Sequence, residues 1–277
     1  MFYQEGVTKI NISYINDLHI DHWVMNNKSY EKHKKSVKAF INRLIENSYI
    51  IDNNVLIIAG DISHYNYVTY WVIEEFSNHF KKVFFVNGNH DYYLITRSQR
   101  SKYRNDSLSR VFELNNLLSQ LNNVTFFSSF TGNVTEKYGG VRFAGCTMTS
   151  LPIGEEEISF YNGFMNDKKY ISHEPKLYND KDINAYNTVI SDFRPNIFIS
   201  HYPLVRTYSH NKHLNDGSIG SYMCIVERHI APINIFGHVH ESDVCYEVAN
   251  SKHISNALGY PTENLNSKIK TFNFKVR

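Results

Sequence analysis

Thiols are scarce in this chain. Cys146, Cys224 and Cys245 are the only three in 277 residues, an odd number with no C-x-x-C spacing. That argues against a disulfide framework and against a thiolate zinc cluster, and a reducing compartment fits best. Also missing is any apolar run near the ~20 residues that a helix needs to span a bilayer. Met1 to Glu5 carry neither the basic stretch nor the apolar stretch of a secretory leader. A cytoplasmic protein with no membrane partner is therefore expected. No sign of charge dominates: Lys plus Arg number 29 against 27 for Asp plus Glu, a formal net charge of +2. Bulk electrostatics gives no reason to expect nucleic-acid binding, so any nucleotide preference must come from a local site. No internal repeat, heptad or low-complexity linker marks a boundary, and a single domain over residues 1–277 is expected.

What is present fits a folded globular protein. Hydrophobic residues make up 42% and charged residues 20%, far from the composition of disordered chains, and the length suffices for a substantial core. The 20 Tyr and 18 Phe read as compositional drift rather than as base-stacking platforms, which need a positioned groove.

Short apolar runs punctuate the sequence at Ile10 to Ile15, Val55 to Ala59, Val83 to Val86, Val141 to Gly145, Ile197 to Ser200 and Ile233 to Phe236. They read as buried strands. Between them, Tyr30 to Ile45, Val68 to Phe80, Leu108 to Leu121 and Tyr222 to His229 carry apolar residues at three-to-four spacing and read as amphipathic helices. This alternation indicates an α/β architecture with ligands at strand-end loops. Val244 to Val248, Lys252 to Ser255 and Ile269 to Lys275, with Gly259 and Pro261 as turn residues, predict a closing antiparallel element. Residues 150–187 are the least regular stretch, expected either to shape a substrate pocket or to form a solvated insertion.

Five clusters follow the strand-like runs: Asp17-Leu18-His19, Gly60-Asp61, Gly88-Asn89-His90-Asp91, Ser200-His201 and Gly237-His238-Val239-His240. Each is rich in hard or borderline metal ligands. In extended backbone, residues two apart share a face, so Asp17 with His19 and His238 with His240 are expected to project together. Glycine before Asp61, Asn89 and His238 predicts tight turns with close backbone approach. Carboxylate, imidazole and amide oxygens without thiolate suit Mn, Fe, Zn or Mg, with Ni a further possibility. A single Gly-Asp or Asp-x-His is common by chance; five such clusters in order are not. Isolated histidines such as His33, His79 and His229 read as surface or satisfied core residues, and His210 and His213 sit in a polar loop without a motif.

In this order D-x-H, G-D, G-N-H-D, H and G-H-x-H resemble the calcineurin-like metallophosphoesterase superfamily, over residues 17 to 240. Asn256 to Glu263 and Met165-Asn166-Asp167 resemble segments of a bacterial-type branch of small phosphohydrolases. The resemblance implies a four-layer α-β-β-α sandwich of two mixed sheets with a dimetal site at strand-end loops. It implies that Asp17, His19, Asp61 and His240 hold one cation and that Asp61, Asn89, His201 and His238 hold the other, Asp61 bridging and manganese the first choice of metal. It implies attack by a metal-bound hydroxide on a phosphodiester or phosphomonoester, small or nucleotide-like, the diester slightly favoured. His90 would then protonate the leaving oxygen or stabilise the phosphoryl group, a duty that an imidazolium near neutral pH suits.

One departure bears on this. The protein phosphatases of that superfamily read G-D-x-x-D-R-G, whereas here Gly60-Asp61 is followed by Ile62-Ser63-His64-Tyr65-Asn66. The carboxylate partner of His90 and the phosphate-gripping arginine are both in doubt, which disfavours a protein phosphatase. His64, at the vacated position, becomes a candidate substrate contact, and Asp91 a candidate for substrate contact or for fixing its loop. His22 and the Tyr202-Pro203 pair read as loop packing and turn, and Tyr92 and Tyr93 as minor candidates for stacking on a base. The alternatives are an inactive scaffold of the same fold and a polynucleotide nuclease; the sequence leaves the oligomeric state open.

Overall fold

The computed structural model describes residues 9–48, 50, 52, 54–206, 217–264 and 266–275, so His210 and His213 lie outside the described residues. Strand β1 (Lys9–Ile15) leads through the short helix α1 (Ile20–Trp23) into α2 (Tyr30–Glu46). Then come β2 (Val55–Ala59), α3 (Asn66–His79), β3 (Lys82–Val86), a 3-10 turn at His90–Tyr92, α4 (Arg97–Lys102) and α5 (Ser107–Leu118). β2 and β3 are buried along their whole length, as strands covered on both faces must be. In α2 the buried residues His33, Val37, Ile41 and Leu44 recur every three or four positions, which is the stripe that turns it onto the sheet.

The second half carries β4 (Val124–Phe127), β5 (Thr135–Tyr138), β6 (Val141–Gly145), α6 (Gly154–Phe164), α7 (Asn166–Tyr170) and α8 (Pro175–Asn184). α8 runs on through a π-helical turn, Ala185–Ile190, into α9 (Ser191–Phe193). β7 (Ile197–Ile199), α10 (Ile219–Tyr222), β8 (Ile233–Phe236), β9 (Val244–Val248), β10 (Ser251–Ser255) and β11 (Lys270–Lys275) complete the order.

Among the described residues the strands form two mixed sheets, ordered β11-β1-β2-β3-β4 and β5-β6-β7-β8-β10-β9. Neighbours from β1 to β4 and from β6 through β8 to β10 are parallel, and the antiparallel strands β11, β5 and β9 all lie at edges. Ile12, Ile57, Phe84, Phe143, Ile199 and Ile235 fill the space between the sheets, with Phe84 stacked on Phe143 at 4.4 Å. Val37, Ile41, Trp71, Phe76, Val111 and Leu114 pack helices on the outer face of the first sheet; Tyr186 and Ile190 pack on the outer face of the second, against Phe198. Four layers, α-β-β-α, result.

Three features differ from expectation. β4 and β5 are strands that the sequence did not reveal. β4 has only four residues, and β5 is a polar edge strand with no fully buried position. The helix expected over Tyr222 to His229 does not form: α10 ends at Tyr222, Met223 turns extended, and Cys224 gives its amide hydrogen to the Pro203 carbonyl at 2.9 Å. Burial of Met223 and Cys224 against the second sheet overrides the local periodicity. The closing antiparallel element is split: β9 and β10 pair in the second sheet, while β11 crosses to pair with β1 in the first. Residues 150–187, the irregular stretch, are largely helical in α6, α7 and α8.

Candidate active site

The loops that follow β1, β2, β3, β7 and β8 meet at the C-terminal ends of the parallel strands of both sheets. They are laced together: Asp17 and His19 donate amide hydrogens to the Gly60 and Asp61 carbonyls at 3.1 and 3.0 Å, and Gly237 donates to the His201 carbonyl at 2.9 Å. The convergence does not come from strand alternation. Asp17, His19, Asp61, His238 and His240 have φ of 51°, 41°, 56°, 74° and 53°, so each sits in the left-handed region. Asp and His tolerate it better than branched residues do, at a cost of about 1 kcal/mol or more each. Gly60 has φ 88°, and a Cβ on Gly88 would stand 2.0 Å from Asp61 Oδ1; both glycines allow close approach around that carboxylate.

Asp17, His19, Asp61 and His240 each offer a ligand atom within 4.8 Å of the others, and so do Asp61, His201 and His238. Asn89 completes the second group: its Oδ1 is 3.0 Å from His201 Nε2 and 3.1 Å from His238 Nδ1. Asp61 Oδ2 belongs to both, 3.7 Å from His19 Nε2 and 3.5 Å from His201 Nε2.

The placement of protons on the donor set fits a cation. His201 Nδ1 donates to the Ala59 carbonyl at 2.9 Å, which leaves Nε2 a bare lone pair. Asn89 commits its Nδ2 to Asp167 Oδ1 at 2.8 Å and to the Tyr93 hydroxyl at 3.1 Å, so its Oδ1, which can only accept, is the atom turned toward His201 Nε2. Two acceptors 3.0 Å apart with no hydrogen between them fit a cation that both ligate. On the other side His240 Nδ1 lies 2.8 Å from Glu263 Oε2 and donates to it, which turns its Nε2 toward His19 Nε2 at 2.8 Å. Burial, then the Asp17 and Asp91 carboxylates, push the Asp61 carboxyl well above the usual range, and burial, then the His90 and His240 rings, hold His19 well below it. Crowded carboxylates beside neutral imidazoles are the electrostatic counterpart of a cation site.

Around the ligands stand residues that sequence reasoning gave no role. Asn16 donates to Asp17 Oδ2 at 2.6 Å and accepts from the Asn256 amide at 2.8 Å, tying the first loop to the segment after β10. Gly259 donates its amide hydrogen to the Asp17 carbonyl, and Tyr260 packs its ring 4.6 Å from His19. Asp167 accepts from Asn89, from Tyr93 and, at 3.1 Å, from the Tyr202 hydroxyl. Only the resemblance of Met165-Asn166-Asp167 and Asn256 to Glu263 to family segments pointed to these two stretches.

His90 lines the cavity, its ring 4.7 Å from His19 and stacked on Tyr93 at 4.4 Å. Burial, then the His64 and His240 imidazoles, hold it well below the usual histidine range, so the protein alone favours a neutral ring over the expected imidazolium. Asp91 and His64, candidate substrate contacts, are placed elsewhere. Asp91 is fully buried and its Oδ2 accepts from the Asp61 and Gly88 amides at 2.9 and 2.8 Å, which fixes two ligand loops from behind. His64 stands behind His90, with Nδ1 3.2 Å from Asp21 Oδ2. Tyr92 is buried, and Tyr93 packs against His90 and Tyr170, so neither ring is free to stack on a base.

The candidate ligands open into a cavity of about 240 Å³. Phe164, Met165 and Asn166 wall one side and Tyr222 and Tyr260 others, so part of the irregular stretch does shape the pocket; Phe164 is 77% exposed at its mouth. No Lys or Arg is among the described residues that line it.

A family model described as calcineurin-like phosphoesterase matches residues 10–242. No curated protein matches the chain. Among solved structures it is similar to phosphopantetheinyl hydrolase (PptH) from Mycobacterium tuberculosis, with 18% identity over 95% of each chain and a TM-score of 0.68, a likeness of fold. The protein of unknown function AQ665 from Aquifex aeolicus matches at 11% identity over 94% of this chain and 95% of that one, but its TM-score of 0.36 carries no argument.

Proposed function

Because this chain belongs to the calcineurin-like phosphoesterase family, we propose that it hydrolyses a small phosphoester, a diester in preference to a monoester, with two divalent cations. Asp17, His19, Asp61 and His240 would hold one cation and Asp61, Asn89, His201 and His238 the other. The observation that carries the reading is the pair of acceptors, His201 Nε2 and Asn89 Oδ1, facing each other at 3.0 Å beside the shared Asp61 carboxylate. When bound, two such cations offset phosphoryl charge and lower the pKa of a water so that it can attack near neutral pH.

The residues of the chain orient the rest. Asp167 and Tyr93 keep the Asn89 oxygen turned inward, and Glu263 does the same for His240 Nε2. His90 lines the cavity and would serve the departing ester oxygen, which must gain a proton as water's oxygen bonds to phosphorus. The absence of Lys and Arg among the described lining residues, with Glu263 at the wall, supports a monoanionic diester over a dianionic monoester. The aromatic wall of Tyr222, Tyr260 and Phe164 supports an ester with an organic, nucleotide-like or similar, arm. A mixed nitrogen and oxygen donor set without thiolate supports manganese, with iron, zinc, magnesium or nickel as the other choices.

The test is hydrolysis of bis(p-nitrophenyl) phosphate and p-nitrophenyl phosphate with each metal or with chelator, and of a diester with an alkyl leaving group beside the His90→Asn variant. Metal-dependent turnover that favours the diester, with the alkyl ester losing most in the variant, is expected. Bound metal without turnover of any phosphoester would overturn the hydrolase reading, and preference for the monoester would overturn the diester.

A further inference from the structure

His90 lacks the carboxylate neighbour that a G-D-x-x-D motif would supply, yet its ring is not left to itself. His90 Nδ1 lies 2.9 Å from His64 Nε2, and His64 Nδ1 lies 3.2 Å from Asp21 Oδ2. We propose that Asp21 and His64 form a two-step positioning relay that fixes the ring orientation and tautomer of His90, a role that a single carboxylate could otherwise fill. The proposal rests on the reading of His90 as the residue that serves the leaving oxygen.

The direction of the relay follows from proton counting. The Asp21 carboxylate accepts only, so Nδ1 of His64 must carry a hydrogen, and a His64 ring with one hydrogen leaves Nε2 as an acceptor. That acceptor in turn holds the hydrogen of His90 on Nδ1, which leaves His90 Nε2 as the ring nitrogen available to the cavity. Nε2 carries no hydrogen in that tautomer, so it would first take a proton from a water in the cavity and then pass that proton to the departing ester oxygen, while Nδ1 keeps its hydrogen and its bond to His64.

Independent contacts hold each member. Asp21 sits on α1 and accepts from the Ser63 hydroxyl at 2.9 Å and from the His64 amide at 2.6 Å, so its carboxylate is clamped to the loop that carries His64. The His64 ring stacks on His90 at 4.9 Å and on Tyr93 at 5.8 Å. The buried Arg110 ties the two loops to each other, with Nη2 donating to the Ser63 carbonyl at 2.9 Å and Nη1 to the His90 carbonyl at 3.0 Å. Gln99 donates to the His64 carbonyl at 2.5 Å, fixing the same loop from α4. A histidine at position 64 as a mere surface residue would not need this enclosure.

The test pairs Asp21→Ala with His64→Gln. Asp21 Oδ2 also accepts from the His64 amide, so an asparagine would keep an oxygen there; alanine removes the acceptor of His64 Nδ1, and nothing then holds the hydrogen of His64, or in turn that of His90, on Nδ1. His64→Gln leaves Asp21 with its Ser63 bond and is the second variant should the first fold poorly. The primary readout is the ring nitrogen spectrum of 15N-histidine-labelled, metal-free protein. Protonated Nδ1 on His64 and His90 in the wild type, with His90 changed in both variants, is expected; a His90 tautomer unchanged in both overturns the relay.

The second readout is kcat on two diesters with metals bound, one with a p-nitrophenyl leaving group and one with a poor alkyl leaving group. A loss of about 10- to 100-fold on the alkyl ester with KM little changed, and a much smaller loss on the p-nitrophenyl ester, is expected, since only the poor leaving group needs a well-placed proton. Equal losses on both esters overturn the positioning role. Wild-type protein inert toward every ester with cations bound would sink the proposed hydrolase, while the ring spectra would still decide the relay.

Discussion

Replacing Gly88 by alanine tests the site where backbone and chemistry are most tightly joined. The added Cβ would lie 2.0 Å from Asp61 Oδ1 and 2.6 Å from both Asp61 Cγ and His201 Cε1, where ordinary contact begins at 3.4 Å. The carboxylate would have to retreat by about 1.4 Å, the difference between those contact distances. It is not free to do so, because Oδ1 accepts from the His90 amide at 2.9 Å and Asp91 pins the Asp61 and Gly88 amides. Overpacking costs roughly 1–3 kcal/mol and a lost buried hydrogen bond a further ~1–3 kcal/mol, so about 2–6 kcal/mol is at stake. At about 2–4 °C per kcal/mol for a chain of this size, that corresponds to a Tm lowered by about 4–24 °C. The displaced carboxylate is the one proposed to serve both cations, so the content of both should fall as well. The assay is thermal unfolding in chelator, which isolates the protein term, with elemental analysis of metal-loaded protein. Gly163→Ala is the control: nothing lies within 4 Å of its Cβ position on the exposed helix α6, and a change between zero and ~1 kcal/mol of stabilisation is expected. A Gly88→Ala protein with wild-type Tm and two bound cations would refute the claim that glycine is there to admit the shared carboxylate.

Asp61→Ala should reduce both cations where Asp17→Ala reduces one, and full metal content in purified Asp61→Ala protein would sink the bridging assignment. Glu263→Gln removes the charged acceptor of His240 Nδ1 and should weaken one cation by roughly 10-fold, measured by competition with a chelator, with the other unchanged. Stability should also depend on pH through His253, whose pKa burial, and then the His229 ring, push down to about 4 from 6.5. The unfolded chain takes up that proton below pH 6.5 and the folded one only near 4, so this contribution is present above 6.5 and declines as pH falls through that window. His253→Gln should flatten the Tm profile there, and an unchanged slope would remove His253 from the account.

Much of the frame was legible because it is local. Val55 to Ala59 and Val83 to Val86 are unbroken apolar runs, and runs that short read as strands buried on both faces. The clusters at Asp17, Asp61, Asn89, His201 and His238 were legible as clusters because each strand end puts its ligands within one or two residues. The mode of their convergence was not. Period-two spacing suggested extended backbone, but five of those ligands take left-handed φ, which loop-to-loop hydrogen bonds such as His19 to Asp61 impose.

The sequence by itself determined the order of elements, the family resemblance and the cluster of candidate ligands, since these depend on periodicity and spacing along a few residues. Tertiary structure alone decided which groups stand behind the ligands. Asn89 meets Asp167 across 78 positions, His201 meets Ala59 across 142, and β1 meets β11 across more than 250. The same holds for His64: a substrate contact and the link proposed between Asp21 and His90 read identically in sequence. Which it is depends on where α1 sets Asp21 and on how Arg110 draws the loops of Ser63 and His90 together, and packing decides both.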